Sequence, residues 1–230
     1  MKVLLATEKP FAAKAVDGIR EIIENAGHEL IPLEKYTQKS ELIEAVAEVD
    51  AMIVRSDKVT ADVIDAARNL KIVVRAGAGY DNIDLARCTK RGIVVMNTPG
   101  QNSNAVAELA ISMMIYMSRN LFKPGTGCEI SGKHLGIIGF GNIGELIAKK
   151  AVGLGMEVLV YTNEVKERHQ RWNTTFSKDK LYSTCDFVSV NIPATPMTKK
   201  SENYDYIAQM PYGACLVNTA RKEHLDEEGL

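Results

Sequence analysis

The sequence predicts an α/β protein built from two mostly parallel sheets. Three observations carry this. Short β-rich runs alternate with helical segments from the first residues on. The runs are apolar throughout, as strands covered on both faces are. The alternation is interrupted once, by a long apolar helix and a glycine-containing loop, and then resumes.

Val3-Leu4-Leu5-Ala6 reads as the first strand. Phe11 to Asn25 follows as a helix, with Ala15, Ile19, Ile22 and Ile23 at helical spacing and Gly27 as the stop signal. Glu29 to Leu33 is a second strand. Ser40 reads as the N-cap of a helix whose face is Leu42, Ile43, Val46 and Ala47. Ala51 to Val54 is a third strand, and Thr60 caps a helix carrying Val63, Ile64 and Ala67. Ile72 to Val74 and Ile93 to Met96 complete the first series. Ala105 to Arg119 is then a long helix with few charges; so apolar a helix is expected to be buried on most sides, between domains or between subunits. Its methionines read as packing. After the loop Lys123 to Gly127 comes a second series: strand His134 to Ile138, helix Asn142 to Gly153, strand Glu157 to Tyr161, and weaker strands at Phe187 to Val190 and Cys215 to Asn218. The boundary falls near residue 100, giving domains 1–100 and 101–230.

Composition narrows the function. Hydrophobic residues are 46% and charged residues 25% of the 230, and the net charge is −1. That balance offers nothing to nucleic acid or an anionic membrane. The longest mostly apolar stretch, Leu109 to Met117, is far short of the roughly 20 residues of a membrane helix. Glu8 and Lys9 end the first apolar run too soon for a signal peptide. Cys88, Cys128, Cys185 and Cys215 stand far apart, without a CxxC pair, and are expected to be reduced thiols in a cytoplasmic protein with no metal.

Gly139-Phe140-Gly141-Asn142-Ile143-Gly144 fits G-x-G-x-x-G, following a strand and opening a helix, the context that makes it a dinucleotide fingerprint. Gly139 permits the tight turn, Gly141 lets the backbone approach a pyrophosphate, and Gly144 lets helix and strand pack closely. The helix N-terminus offers free N–H groups and a favourable dipole to the phosphates. About 20 residues on, where an acid binds the ribose hydroxyls, the chain has Thr162, with Asn163 and Glu164 beyond. Lys166, Arg168 and Arg171 follow, which read as a solvated helix face but would tolerate a 2′-phosphate. NAD is the expected cofactor, and NADP stays open.

The run Arg75-Ala76-Gly77-Ala78-Gly79-Tyr80-Asp81-Asn82-Ile83-Asp84, then Met96-Asn97-Thr98-Pro99, then Asn102 through Ala107-Glu108, then the fingerprint, then Asn218-Thr219-Ala220-Arg221, resembles the D-2-hydroxyacid dehydrogenases over the whole chain. Within that family it is most similar to the 3-phosphoglycerate dehydrogenase branch. The resemblance implies two doubly wound domains, a flavodoxin-like one for substrate and a Rossmann-like one for NAD, with a cleft between them and a dimeric assembly. It implies hydride transfer between C2 of 3-phospho-D-glycerate and the nicotinamide, in serine biosynthesis. Arg221 matches the catalytic arginine, whose always-charged fork suits a carboxylate and the C2 oxygen. Arg55 and Ser56 match positions near the substrate phosphate. The N–H groups of Ala76 and Gly77 match the carboxylate loop, and Asn102 lies in the matching cleft segment. Val106, the fingerprint residues Gly139, Gly141, Asn142, Ile143 and Gly144, and Thr162, Pro193 and Thr219 match cofactor contacts.

Two departures from the family pattern bear on function. Arg119 to Phe122 runs directly into Gly125 to Gly132, without the excursion by which many relatives wrap the partner subunit, so a homodimer is expected to be smaller or lost. The chain also stops at Leu230, before the family's second catalytic carboxylate and proton-transfer residue, so the second domain is expected to be truncated at its C-terminus. His224, at a helix entry, is expected to face solvent, and His28, His134 and His169 fall away from the expected cleft. The alternatives are a dehydrogenase for another 2-hydroxyacid, or an inactive NAD-binding protein.

Overall fold

A computed structural model describes residues 1–162 and 170–229. It divides into two compact units, Met1–Gln101 and Asn102–Leu230. Among the described residues each unit holds one five-stranded, wholly parallel sheet.

In the first unit, β1 (Lys2–Thr7), β2 (Glu29–Glu34), β3 (Ala51–Val54), β4 (Ile72–Arg75) and β5 (Val94–Asn97) lie in the order β2-β1-β3-β4-β5. Helices α1 (Ala13–Asn25), α2 (Lys39–Val46), α3 (Ala61–Ala66) and α4 (Leu85–Lys90) connect them. Met52, Val54 and Val73 point to one face, where α2 and α3 bury Leu42, Val46, Val63 and Ile64 against them. At roughly 1.5–3 kcal/mol per buried aliphatic side chain, this layer is the main source of the unit's stability.

The opposite face is thinner. It holds Val3, Leu5, Leu30 and Ala51 under Phe11 and the half-buried Val16, Ile19 and Ile23. The stripe predicted for α1 is thus corrected: Val16, Ile19 and Ile23 face the sheet, and Ala15 and Ile22 face solvent. Nor is every strand covered twice, since Val94 and Met96 of β5 are 56% and 54% exposed. The α2 N-cap is also two residues earlier than predicted. Gln38 occupies it, and Glu41 Oε1 accepts from the Gln38 and Thr37 N–H groups at 2.9 and 3.0 Å.

The second unit opens with α5 (Ser103–Ser118) and a short 3₁₀ turn. Its strands β6 (His134–Ile138), β7 (Glu157–Tyr161), β8 (Asn173–Thr175), β9 (Phe187–Val190) and β10 (Cys215–Asn218) lie in the order β10-β9-β6-β7-β8. Helices α6 (Asn142–Gly153), α7 (Lys178–Thr184) and α8 (Tyr204–Ile207) complete it. On one face α5 and α6 bury Ala107, Ala110, Met114, Ile147 and Ala148 against Leu135, Ile137 and Val160. On the other, α7 brings Leu181, Tyr182 and Cys185 onto Ile138 and Val188. Within this chain α5 buries one face, Ala107, Ala110, Ile111 and Met114, while Leu109, Met113, Tyr116 and Met117 are exposed.

Candidate active site

In an open parallel sheet the loops at the C-terminal strand ends build ligand sites, above all where the strand order reverses. In the first unit that point lies between β1 and β3. One buried carboxylate organises it. Asp57 Oδ1 accepts from the Glu8 N–H at 2.7 Å and the Tyr36 hydroxyl at 2.9 Å, and Oδ2 from the Arg55 N–H at 3.2 Å. Burial, reinforced by Asp57, raises the Tyr36 phenol well above its ordinary range, so it stays a donor.

The loop after β3 is thereby fixed. Arg55 and Ser56 lie exposed on it. The Arg55 guanidinium reaches the loop after β1, donating from Nη1 to the Lys9 and Pro10 carbonyls at 3.3 and 3.1 Å and lying 5.4 Å from the Phe11 ring. Its own carbonyl accepts from Arg75 Nε at 2.9 Å. Asn82 Nδ2 donates to the Asp57 carbonyl at 2.7 Å. Arg55, Ser56, Arg75 and Asn82 therefore share one rim.

The glycine-rich turn after β4 is held by Asn97 Nδ2 on the Ala78 carbonyl at 2.8 Å and the Thr98 N–H on the Gly77 carbonyl at 2.9 Å. Ala76 and Gly77 open this turn. The Ala76 N–H donates to Val54 and the Gly77 N–H to Arg75, both at 2.8 Å. Among the described hydrogen bonds, none is donated by the next two amides of the turn, Ala78 and Gly79.

In the second unit the order reverses between β6 and β9, and the fingerprint sits there. Gly139 has φ +86°, and a Cβ on it would stand 2.7 Å from Ile192 Cγ2 and 2.9 Å from the Asn191 carbonyl. A Cβ on Gly144 would stand 2.4 Å from the Gly139 carbonyl. Around Gly141, by contrast, nothing lies within 4 Å of that position. Gly141 is the N-cap of α6 and no side chain caps the helix, so the start of α6, with Asn142 and Ile143, is an open cradle of backbone donors. The one acid of its first turn, Glu145, is paired with Lys149 and Arg171, each at 3.0 Å. A dinucleotide pyrophosphate fits this cradle, because the space a Cβ would fill is empty.

Thr162 directly follows β7, half-buried. Asn163, Glu164, Lys166, Arg168 and His169 lie outside the described residues. Arg171 is tied to Glu145 and lies over the Trp172 ring at 5.6 Å. Pro193, after β9, is exposed and its carbonyl accepts from Thr198 Oγ1 at 2.7 Å. After β10, Thr219 Oγ1 is buried with no hydrogen-bond partner among the described residues, as is Asn191 Oδ1. Two unsatisfied polar atoms beside the fingerprint mouth suit a polar ligand. Asn218 shapes the turn that carries the half-buried Arg221: its Nδ2 donates to the Arg221 carbonyl at 2.7 Å, and its Oδ1 accepts from the Ala220 N–H at 3.0 Å. Asn102 precedes α5, exposed, with its carbonyl accepting from the Val106 N–H at 3.1 Å, and Val106 is half-buried.

His224 does not face solvent. It is 0% exposed, with Nδ1 3.0 Å from the Thr198 carbonyl and Nε2 3.1 Å from the Ile192 carbonyl. Sequence reasoning also passed over Asp57, Asn82 and the buried Glu202. Arg55-Ser56-Asp57 carried the only available signal, an acid placed to fold back on its own loop.

A profile of the D-isomer specific 2-hydroxyacid dehydrogenase catalytic domain matches residues 8–200. The chain belongs to this family. Its members are NAD-dependent oxidoreductases. A hydroxypyruvate reductase of Thermotoga maritima is 41% identical over 216 residues, covering 88% of this chain and 70% of that protein. A D-3-phosphoglycerate dehydrogenase of Methanocaldococcus jannaschii is 37% identical over 209 residues, covering 84% of this chain and 40% of that protein. Among solved structures, NAD⁺-bound 3-phosphoglycerate dehydrogenase of Entamoeba histolytica superposes with a TM-score of 0.94 at 48% identity, covering all of this dehydrogenase-family chain and 74% of that one. Among the described residues no helix is long and apolar enough to cross a membrane, and no group of three or more His, Cys, Asp or Glu is placed to hold a metal.

Proposed function

We propose that this chain acts as an NAD-dependent dehydrogenase on 3-phospho-D-glycerate, the first unit holding substrate and the second the nucleotide. The observation that carries the reading is the open Gly139–Gly144 cradle beside the turn bearing Arg221. NAD⁺, when bound, supplies a hydride acceptor at the nicotinamide. The remaining work falls to side chains and amides of the chain. The fingerprint amides and the α6 dipole hold the pyrophosphate. Thr162 takes a ribose hydroxyl, and Thr219 and Pro193 edge the nicotinamide side, with Val106 packing on it. Arg221 grips the substrate carboxylate and stabilises negative charge on the C2 oxygen. In the first unit the turn of Ala76 and Gly77, continued by the Ala78 and Gly79 amides, is the anion loop offered to the substrate. Arg55, with Ser56 beside it, binds the phosphate by giving up its two carbonyl partners, and Asn102 closes the substrate segment.

Arg221→Ala is expected to lower kcat for NADH formation from 3-phosphoglycerate by about 10²–10³-fold, as loss of one charge-stabilising donor does. Equal rates in both proteins would remove Arg221 from the mechanism. The Thermotoga relative's name favours one second reading, an unphosphorylated 2-hydroxyacid as substrate. Arg55→Ala separates the two: a KM for 3-phosphoglycerate raised at least about tenfold supports the phosphate role, and an unchanged KM favours the unphosphorylated acid. Four free thiols agree with a cytoplasmic setting, and the reading includes a homodimer weakened or lost relative to the family, to be read by sedimentation.

A further inference from the structure

His224 is the buried group that the proposed chemistry leaves unused. It lies three residues past Arg221, in a 3₁₀ turn over Lys222–His224. Each ring nitrogen faces a backbone carbonyl, Thr198 at 3.0 Å and Ile192 at 3.1 Å. Both carbonyls belong to the loop after β9, the loop that includes Pro193. A neutral imidazole has one N–H and satisfies one of them; the doubly protonated ring satisfies both.

The backbone repeats the same connection. The Lys200 N–H donates to the Glu223 carbonyl at 2.8 Å, the Glu202 N–H to the His224 carbonyl at 3.0 Å, and the Asp226 N–H to the Glu202 carbonyl at 3.0 Å. The His224 N–H closes back on the Arg221 carbonyl at 3.2 Å. The far side of this seam is anchored as well. Glu202, fully buried, accepts from Lys178 Nζ at 2.9 Å, Ser201 Oγ at 2.8 Å and the Tyr182 hydroxyl. The imidazole is therefore the buried side-chain cross-tie between the loop after β9 and the segment after β10, beside the more exposed pairs of Lys200 Nζ with Asp226 at 2.8 Å and Glu228 at 3.0 Å.

We propose that His224 is a positioning residue: by tying the Ile192–Thr198 loop to the Arg221 turn, it fixes where the Arg221 guanidinium stands. The proposal rests on the dehydrogenase reading for the role of Arg221. Its distance from the reacting atoms is no objection, because a misplacement of about 1 Å transmitted from outside the chemistry costs up to roughly 10²-fold in rate. The pyrophosphate cradle lies at the start of α6, outside the tied loop, whereas Ile192 reaches only the Gly139 side of the turn, so nucleotide affinity is expected to change less than turnover.

The test compares His224→Leu, which keeps apolar bulk and removes both nitrogens, with His224→Gln, which restores one donor. Two readouts are taken on the full chain: steady-state NADH formation from 3-phosphoglycerate per folded molecule, and hydrogen exchange of the Lys200, Glu202 and His224 amides. For His224→Leu, kcat falls about tenfold or more, KM for NAD⁺ changes less than about threefold, and the three amides exchange at least about tenfold faster. The Gln variant recovers part of both. Unchanged kcat per folded molecule, even with faster exchange, overturns the positioning role and leaves a structural one. Lowered kcat with unchanged exchange overturns the cross-tie as its means. Absence of turnover in the wild type sinks the dehydrogenase reading and with it the clause on Arg221, while the exchange measurement still decides whether His224 joins the two segments.

Discussion

Two glycines three residues apart, Gly141 and Gly144, face opposite environments, and that difference is measurable. At Gly144 an added methyl would sit 2.4 Å from the Gly139 carbonyl, a backbone atom that cannot step aside. Gly144→Ala is therefore expected to cost about 1–3 kcal/mol of stability, the range for overpacking, and to weaken NAD⁺ binding by opening the turn. At Gly141 the same methyl enters empty space. Gly141→Ala is expected to leave the melting temperature unchanged and still weaken NAD⁺ binding at least about tenfold, because the methyl takes the place of the pyrophosphate. Calorimetric binding and thermal unfolding of both variants check this; equal affinity in Gly141→Ala and wild type would remove the pyrophosphate from that space. Asp57 makes the parallel case in the first unit. Asp57→Ala strands the Glu8 and Arg55 N–H groups and the Tyr36 hydroxyl. Denaturant titration is expected to show a loss of about 2–4 kcal/mol, the buried Tyr36 hydroxyl costing roughly 1–3 and the two part-buried amides, which water can reach, the smaller remainder.

At the scale of elements, α7 shows how a short helix stabilises a sheet and what that does to its chemistry. Ser177 caps it, accepting from the Lys180 N–H at 3.1 Å, and it ends at Cys185, packed under Gly136. A Cβ on Gly136 would stand 2.6 Å from Leu181 Cδ2 and 3.1 Å from Cys185 Sγ, so β6 admits Leu181 and the thiol this closely because it has glycine there. Burial, with a smaller contribution from Asp186, pushes the Cys185 thiol up to about 12 from an ordinary 9.0. The sign follows by linkage. Below pH 9 both folded and unfolded chains hold the proton; between about 9 and 12 only the folded chain keeps it, so this thiol makes stability fall as pH rises through that window. The buried Tyr182, raised by burial and by Glu202, acts in the same direction. Cys185→Ala is expected to flatten the alkaline limb of stability against pH. In the folded wild type at pH 8, a thiol reagent is expected to modify the exposed Cys128 and spare Cys185. Strands β6, β7, β9 and β10 were legible from the sequence to the residue, because parallel strands between helices are continuous apolar runs. Helix α7 was not: Lys178-Asp179-Lys180 hides an apolar face of only Leu181, Tyr182 and Cys185. His224 was illegible for a related reason. Its partners are carbonyls 26 and 32 residues away, and local sequence carries no trace of them.

At the scale of the whole molecule, the chain reads as two sheets because it has two sets of cores. One set, from Met52 and Val73 to Val3 and Leu5, belongs to the first unit; the other, from Leu135 and Ile147 to Leu181 and Val188, belongs to the second. The interruption at α5 made this division legible, whereas the thin face of the first sheet was not, since Val94 and Met96 are as apolar as any covered strand residue. Those two positions are more than half exposed and have little packing to lose, so Val94→Thr with Met96→Thr is expected to reduce binding of a hydrophobic dye with little change in the first unit's melting temperature. The separate cores also make ligand linkage selective. A ligand stabilises only the cooperative unit that binds it, by about 2.7 kcal/mol at 100 times its Kd. If the fingerprint of the second unit is the NAD⁺ site, saturating NAD⁺ shifts the unfolding transition of residues 102–230 upward. Exchange of the buried β1 and β3 amides in the first unit then stays where it was. Scanning calorimetry together with hydrogen exchange resolves the two, and equal protection gained in β1 and in β6 would show that the nucleotide is held by both units rather than by the fingerprint alone.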